Sequence, residues 1–332
     1  MRTVIGMAVA TAAAALMVPA LAQAQAAKAA AWPQRPVTVI MPVSPGVAAD
    51  IEARAYTDKL GEVLGQPFVR DYKPGAGTML SLNAIARANP DGYTLGMANI
   101  NLAFVPLKFA DAPFDYIKSF EYVSLVARRI NGLFVSTALP ITNMKEYIAY
   151  AKAHPGEMNF TANGEGSTDH ITGSWISNAT GTKVTFIHYK DSKAQQVDLM
   201  AGRTHLISVT YSEGGSANAL IKAGKMRPIG TIATQRSPLA PDVPTMAEQG
   251  IKDVDAPSFL GMLAPAKTAA SIVNRLHDEI VKIAKLPETQ KAVGAGTVLS
   301  ATTGAEFRTY VQNLTEKYRK VVKDNNINMK EE

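Results

Sequence analysis

Two short glycine turns carry residue types that could hold an anion. The first, Ser44-Pro45-Gly46-Val47-Ala48-Ala49-Asp50, follows the apolar run Val37–Met41 and leads into an amphipathic stretch. The second, Gly164-Glu165-Gly166-Ser167-Thr168-Asp169-His170, follows Met158–Thr161 and precedes a helical pattern with Ile171, Trp175 and Ala179 on its apolar face. In each, a strand hands over to a helix N-terminus, where backbone N–H groups lack intrahelical acceptors and the helix dipole favours negative charge. The chemistry on offer is capture of a carboxylate or phosphate, by Ser44, Gly46, Val47 and Ala48 on one side and by Ser167 and Thr168 on the other. Each feature also has a plainer role. Asp50 stands in the first turn of its helix, where a carboxylate already stabilises the dipole without meeting a ligand. Ser167 stands where an N-cap belongs.

Other positions complete the candidate set. Tyr189-Lys190-Asp191 lies between a strand at Val184–Ile187 and a helix at Gln195–Ala201. Lys190 could pair with a carboxylate, although a loop lysine is most simply solvated. Asn99 and Asn101 can both give and accept hydrogen bonds, or only form a turn. Tyr189 and Thr210, the latter just past a strand at His205–Val209, join the ligand-binding candidates. Enzyme motifs are missing. No Gly-x-Ser-x-Gly elbow or Gly-Lys-Ser/Thr phosphate loop is present, and Gly75-x-Gly77 and Gly164-x-Gly166 lack the third glycine of a dinucleotide fingerprint. The five histidines form no i,i+4 pair, and the chain has no cysteine. Thiolate metal sites, cysteine nucleophiles and disulfides are thereby excluded, and no metal or cofactor is expected.

The elements that must position these residues alternate in type. Short apolar strands are expected at Val37–Met41, Phe68–Arg70, Thr94–Met97, Tyr122–Val126, Gly132–Ser136, Met158–Thr161, Val184–Ile187, His205–Val209, Arg227–Ile232 and Phe259–Ala264. Helical patterns between them imply a parallel α/β layering. Asn143 with Glu146 and Thr303 with Glu306 read as capping signatures. Phe307, Val311, Leu314, Tyr318 and Val321 recur at helical spacing, as do Ile272, Leu276, Ile280 and Ile283.

The 332 residues carry a formal net charge of +6, spread without a basic stripe, which argues against nucleic acid as a partner. Residues 1–24 read as a secretory signal: Arg2 is the only charge, Val4 to Leu21 is apolar, and Ala20-Leu21-Ala22 and Ala22-Gln23-Ala24 offer cleavage sites. A membrane anchor is the weaker reading, because Pro19 interrupts an alanine-rich run that ends in a cleavage pattern. Export without a cysteine to carry a lipid points to the periplasm. The mature length suggests two lobes. The chain crosses between them at Leu125–Thr137 and at Asp253–Pro265, giving a discontinuous first lobe (32–128 and 255–332) with the second (129–254) inserted.

Six motifs in fixed order resemble one family. They are Trp32-Pro33-x-Arg35-Pro36, Lys73-Pro74-Gly75-Ala76-Gly77, Asn89-Pro90-Asp91-Gly92-Tyr93-Thr94-Leu95, Ala151-Lys152-Ala153-His154-Pro155-Gly156, Asp198-Leu199-Met200-Ala201-Gly202 and the run from Arg236 to Thr245. In this order, behind a signal peptide, they resemble the solute receptors of tripartite tricarboxylate transporters, the Bug family. The resemblance implies an α/β, two-lobed periplasmic binding protein of the type 2-like, Venus-flytrap kind. It implies closure around a small organic acid held by loop amides and hydroxyls, with membrane transporter subunits as partners and no cofactor. The departures concern the ligand: Val47-Ala48-Ala49 stand where the family is richer in glycine, Asp191 where it often has glycine, Ser174 where it often has glutamate, and Ser258 where an aromatic is common. A narrower, more apolar mouth is expected.

The reading is therefore a monomeric receptor that binds an aromatic or aliphatic carboxylate without changing it. Its rivals are an exported α/β hydrolase-like enzyme, which the fold alone does not exclude, and a ligand sensor for a membrane signalling kinase.

Overall fold

The computed structural model describes residues 32–189, 192–212 and 216–329. The expected signal peptide, Lys190 and Asp191 lie outside them. In chain order the elements are β1 (Val37–Met41), α1 (Ala48–Leu64), β2 (Phe68–Tyr72), α2 (Met79–Ala86), β3 (Thr94–Asn99), α3 (Asn101–Lys108), β4 (Phe120–Arg129) and β5 (Asn131–Ser136). There follow α4 (Met144–Ala153), β6 (Met158–Ala162), α5 (Thr168–Thr180), β7 (Val184–His188), α6 (Ser192–Met200), β8 (Leu206–Thr210), α7 (Ser216–Lys222) and β9 (Met226–Ile232). The last are β10 (Ser258–Pro265), α8 (Ala270–Ala284), α9 (Pro287–Val293), β11 (Thr297–Leu299) and α10 (Gly304–Asp324).

The strands form two sheets, in the orders β11-β4-β10-β3-β1-β2 and β7-β6-β8-β5-β9. A wholly parallel layering is corrected. β1 runs parallel to β2 and β3, and β6 to β7 and β8. β10 is antiparallel to both neighbours, and so is β5. The reason is connectivity: β4 passes straight into β5 with only Ile130 between them, and β10 returns from the other sheet, so neither has a crossover helix to restore a parallel direction. At the crossings, Asn131 Nδ2 donates to the Ala256 carbonyl oxygen at 2.8 Å and ties the two passing segments together.

Helix periodicity carries the burial. Ile272, Leu276, Ile280 and Ile283 of α8 are all buried, as are Phe307, Val311, Leu314, Tyr318 and Val321 of α10. The α10 N-terminus closes a capping box between Thr303 and Glu306. At α4 the box is displaced: Asn143 caps Glu146, but the Glu146 carboxylate accepts from Thr142. Tyr318 touches Phe104 of α3 (ring centroids 4.7 Å) and Trp175 of α5 (6.0 Å), so α10 packs between helices of the two sheets. The buried face of α5 is Ile171, Trp175 and Ile176, and Ala179 is exposed rather than on it.

The opening motifs fold onto each other. Trp32 is buried edge-on against Phe68 and Tyr93, Arg35 lies 3.9 Å over the Tyr93 ring, and Arg35 pairs with Asp91 at 3.3 Å. Those motif residues are scaffold.

Candidate ligand site

The carboxyl ends of β1, β3, β6 and β8 and the start of β5 converge where the chain crosses between sheets. In open α/β sheets, the crevice beyond the carboxyl ends of the strands is where ligands sit. A cavity of about 250 Å³ opens there, lined by Ile100, Asn131, Asn163, Thr168, Asp169, Gln195, Ser208, Val209, Thr210 and Ser258. Hydroxyls and amides pair along its wall. Thr210 Oγ1 donates to Asn131 Oδ1 at 2.7 Å, and Gln195 Nε2 donates to Asn163 Oδ1 at 2.9 Å. Ser258 Oγ accepts from Arg129 Nη2 at 2.9 Å.

That arginine leads to a second, adjoining hollow of about 520 Å³ under the head of α1, lined among others by Gly46, Ala48, Glu52, Arg129, Tyr211 and Lys291. Arg129 Nη1 stands 3.5 Å from Glu52 Oε2, and Glu52 Oε1 accepts from Thr297 Oγ1 at 3.0 Å. Burial pushes the Glu52 carboxyl up, opposed by Arg129 and Thr297. The guanidinium is thus matched by a buried acid.

At the α1 head, Gly46 adopts φ +84°, a left-handed conformation that favours glycine. Its amide donates to Asp50 Oδ2 at 2.8 Å, while Tyr72 Oη donates to Oδ1 at 2.7 Å and Arg54 Nη2 stands 3.3 Å from Oδ2. Burial raises the Asp50 carboxyl, but these donors outweigh it and hold the group below the usual range. Asp50 thus takes three donors from the scaffold, and the Gly46 amide is spent on it. The amides of Val47, Ala48 and Ala49 have no intrahelical acceptor and remain at the helix N-terminus, since Val47 caps without a side-chain bond.

The α5 head is built differently. Ser167 Oγ accepts from the His170 amide at 3.3 Å, so its hydroxyl is a cap, as its position implied. The Gly166 amide donates to His170 Nδ1 at 3.1 Å. Burial, with His188 beside it, keeps that imidazole's pKa below its ordinary value and so favours the neutral ring that can accept. Gly166 is held at φ +64° against the chain end: a Cβ there would stand 3.1 Å from the Asn328 carbonyl oxygen. Asp169 accepts from Asn163 Nδ2 at 2.5 Å, and burial pushes its carboxyl up to about 6 against that bond.

Of the expected site residues, Thr168 and Thr210 line the cleft cavity, and Gly46 and Ala48 line the hollow beside it. Ser44 and Val47 are exposed at the rim. Asn99 Oδ1 accepts from the Asn101 amide at 3.0 Å, making the turn by which Ile100, between them, enters the cavity. Tyr189 Oη donates to Asp198 Oδ2 at 2.6 Å and so is turned to α6. Asn131, Asn163, Asp169, Gln195, Ser208 and Ser258 were not in the candidate set. The signal for Asn163 and Asn131 was their position at strand ends that face a crossing.

Two mixed sheets joined by two chain crossings, with a polar cavity between helix heads, define the two-lobed periplasmic binding protein class. The sequence profile described as "Tripartite tricarboxylate transporter family receptor" matches residues 52–327. The chain belongs to that family. Among its relatives, the "UPF0065 protein in gbd 5'region" of Cupriavidus necator is 34% identical over 272 residues, 82% of this chain and 80% of that protein. A solved structure titled "Structure of a periplasmic transporter" has a TM-score of 0.77 and 33% identity, covering 90% of this chain and 99% of its own. Another, "R. palustris Rpa4515 with adipate", has a TM-score of 0.77 and 27% identity over 89% of this chain and 99% of its own.

Proposed function

We propose that this chain is an exported receptor that captures a small organic acid in the cleft and delivers it to the membrane subunits of a tripartite tricarboxylate-type transporter. The observation that carries this reading is the cleft cavity itself: about 250 Å³, walled at the crossings by amides and hydroxyls with one acid, Asp169, among them. Drug-sized ligands occupy pockets of roughly 300–1,000 Å³, so the size suits a smaller solute. A relative solved with adipate supports an acid as ligand. The carboxylate is held at the α1 head by the Val47, Ala48 and Ala49 amides, and the chain closes about the paired crossings at Ile130 and Ala256. Residues 32–128 and 255–332 move as one lobe and 129–254 as the other. Residues 1–24 direct export to the periplasm, where the mature protein acts as a monomer and leaves its ligand unchanged.

A thermal-shift screen of organic acids, followed by mass spectrometry of the recovered ligand, tests this. An acid at a hundred times its Kd is expected to stabilise the protein by about 2.7 kcal/mol and to come back intact. A converted product, or no stabilisation by any acid, overturns the reading.

A further inference from the structure

Asp169 is an acid that faces a cavity with no cation in its wall. It lines the cleft cavity beside Asn131, Thr210 and Ser258, and none of the described lining residues is a lysine or an arginine. Among the described residues its donor is Asn163 alone, and the side chain of that donor is held in turn by Gln195. Arg129, the cation bonded to Ser258, is committed to Glu52. When lobes close and expel water, a carboxylate without a charged partner becomes costly. The acid at the α1 head has no such need, because Arg54, Tyr72 and Gly46 already satisfy it. A ligand reaching from the α1 head, in the adjoining hollow, into this cavity therefore meets bare amides at one end and an unmatched negative charge at the other.

We propose that Asp169 is a specificity-determining residue that selects acids carrying an ammonium group, such as amino acids, over the same acids without one. This rests on the reading that the cleft binds an organic acid. The ligand carboxylate takes the Val47–Ala49 amides, and its ammonium donates to the Asp169 oxygen atoms left over by Asn163. An acid lacking the ammonium leaves Asp169 without a charged partner, and a site built around a polar partner rejects an analogue that lacks it.

The test is calorimetry near neutral pH on protein freed of bound ligand by unfolding and refolding. Matched pairs are titrated: 2-aminoadipate and adipate, glutamate and glutarate, phenylalanine and 3-phenylpropanoate. For at least one pair the amino member is expected to bind about tenfold or more tightly than its partner, with Asp169→Asn removing the preference while still binding the partner acid, which also shows that the variant folds. If the partner acids bind wild-type protein as tightly as the amino members, or the preference survives Asp169→Asn, the role of Asp169 is overturned and the acid receptor stands. If no member of any pair binds wild-type protein, both fall.

Discussion

The heads of α1 and α5 each place a carboxylate in the first helical turn, and the protein treats the two in opposite ways. Asp50 is fully buried, yet a backbone amide, a tyrosine hydroxyl and Arg54 keep it ionised. Asp169 leaves more of the residue exposed, yet burial of its carboxyl, opposed only by Asn163, pushes the group up to about 6. The caps are reversed as well: α5 has the Ser167 hydroxyl, while α1 has the side chain of Val47, which caps nothing. A helix N-terminus is therefore only as open to an anion as its own side chains leave it. At α1 the local acid is neutralised and the leading amides stay free. At α5 the Ser167 cap takes the His170 amide, and Asp169 sets a carboxylate in the cavity wall beside that head.

Asp50→Ala gives the largest expected break in this contrast. It strands Tyr72 Oη and the Gly46 amide and leaves Arg54 to solvent, and hydrogen bonds to a buried charge are worth about 1.5–3 kcal/mol each. The variant is expected to lose about 3 kcal/mol in denaturant unfolding at neutral pH. Because the folded Asp50 carboxyl lies below its unfolded value of 3.8, its stabilisation is present above that value and is lost as pH falls through the folded one. The deficit of the variant should therefore shrink on acidification below about pH 4. A constant deficit would mean that volume, not charge, is what Asp50 supplies.

Asp169→Asn should move stability the other way. Its folded carboxyl lies above the unfolded value of 3.8, at about 6. The contribution of Asp169 to stability is thus fully present below the unfolded value and is lost as pH rises through about 6. At neutral pH the ionised group is a burden, and the asparagine variant is expected to gain about 2 kcal/mol there and nothing near pH 4. Urea unfolding at the two pH values reads this directly. A loss at neutral pH would show that the acid is already matched in the free protein. Smaller still, Ser167→Ala removes only a cap and is expected to cost about 1 kcal/mol of stability, independent of pH between 5 and 8.

What was legible in the sequence was what local periodicity encodes. β1, α8 and α10 fall where their apolar spacing puts them, and the Thr303–Glu306 box closes as read. β11 was not visible, since Thr297–Leu299 is three residues whose strand character comes from pairing with β4. The direction of β5 and β10 was equally hidden, because it is set by where the chain re-enters a sheet and not by any residue in the strand. The site divides along the same line. Both glycine turns were recognisable as helix heads, and Ser167 as a cap. That Asp50 is also held from its other oxygen depends on Tyr72 arriving from β2, 22 residues on. That Asn163 meets Gln195 depends on two elements 32 residues apart in sequence. Hydrogen bonds that join distant elements leave no spacing to read.

The subtlest difference between the two heads is the apolar rim of α1. Val47 and Ile51 are each 44% exposed there, beside the amides assigned to the ligand carboxylate. Exposed valine at a helix start adds nothing to capping, so these side chains either only shield the turn or touch the ligand behind its carboxylate. Val47→Gly separates the two, because glycine is an acceptable N-cap and keeps the amide in place. A ligand with an apolar or aromatic body is expected to lose no more than about 0.8 kcal/mol of binding, the worth of one buried methylene. A compact, many-hydroxyl acid such as citrate should lose nothing. Calorimetry with one acid of each kind decides it: equal changes for both would show that the rim shapes the turn and not the choice of ligand.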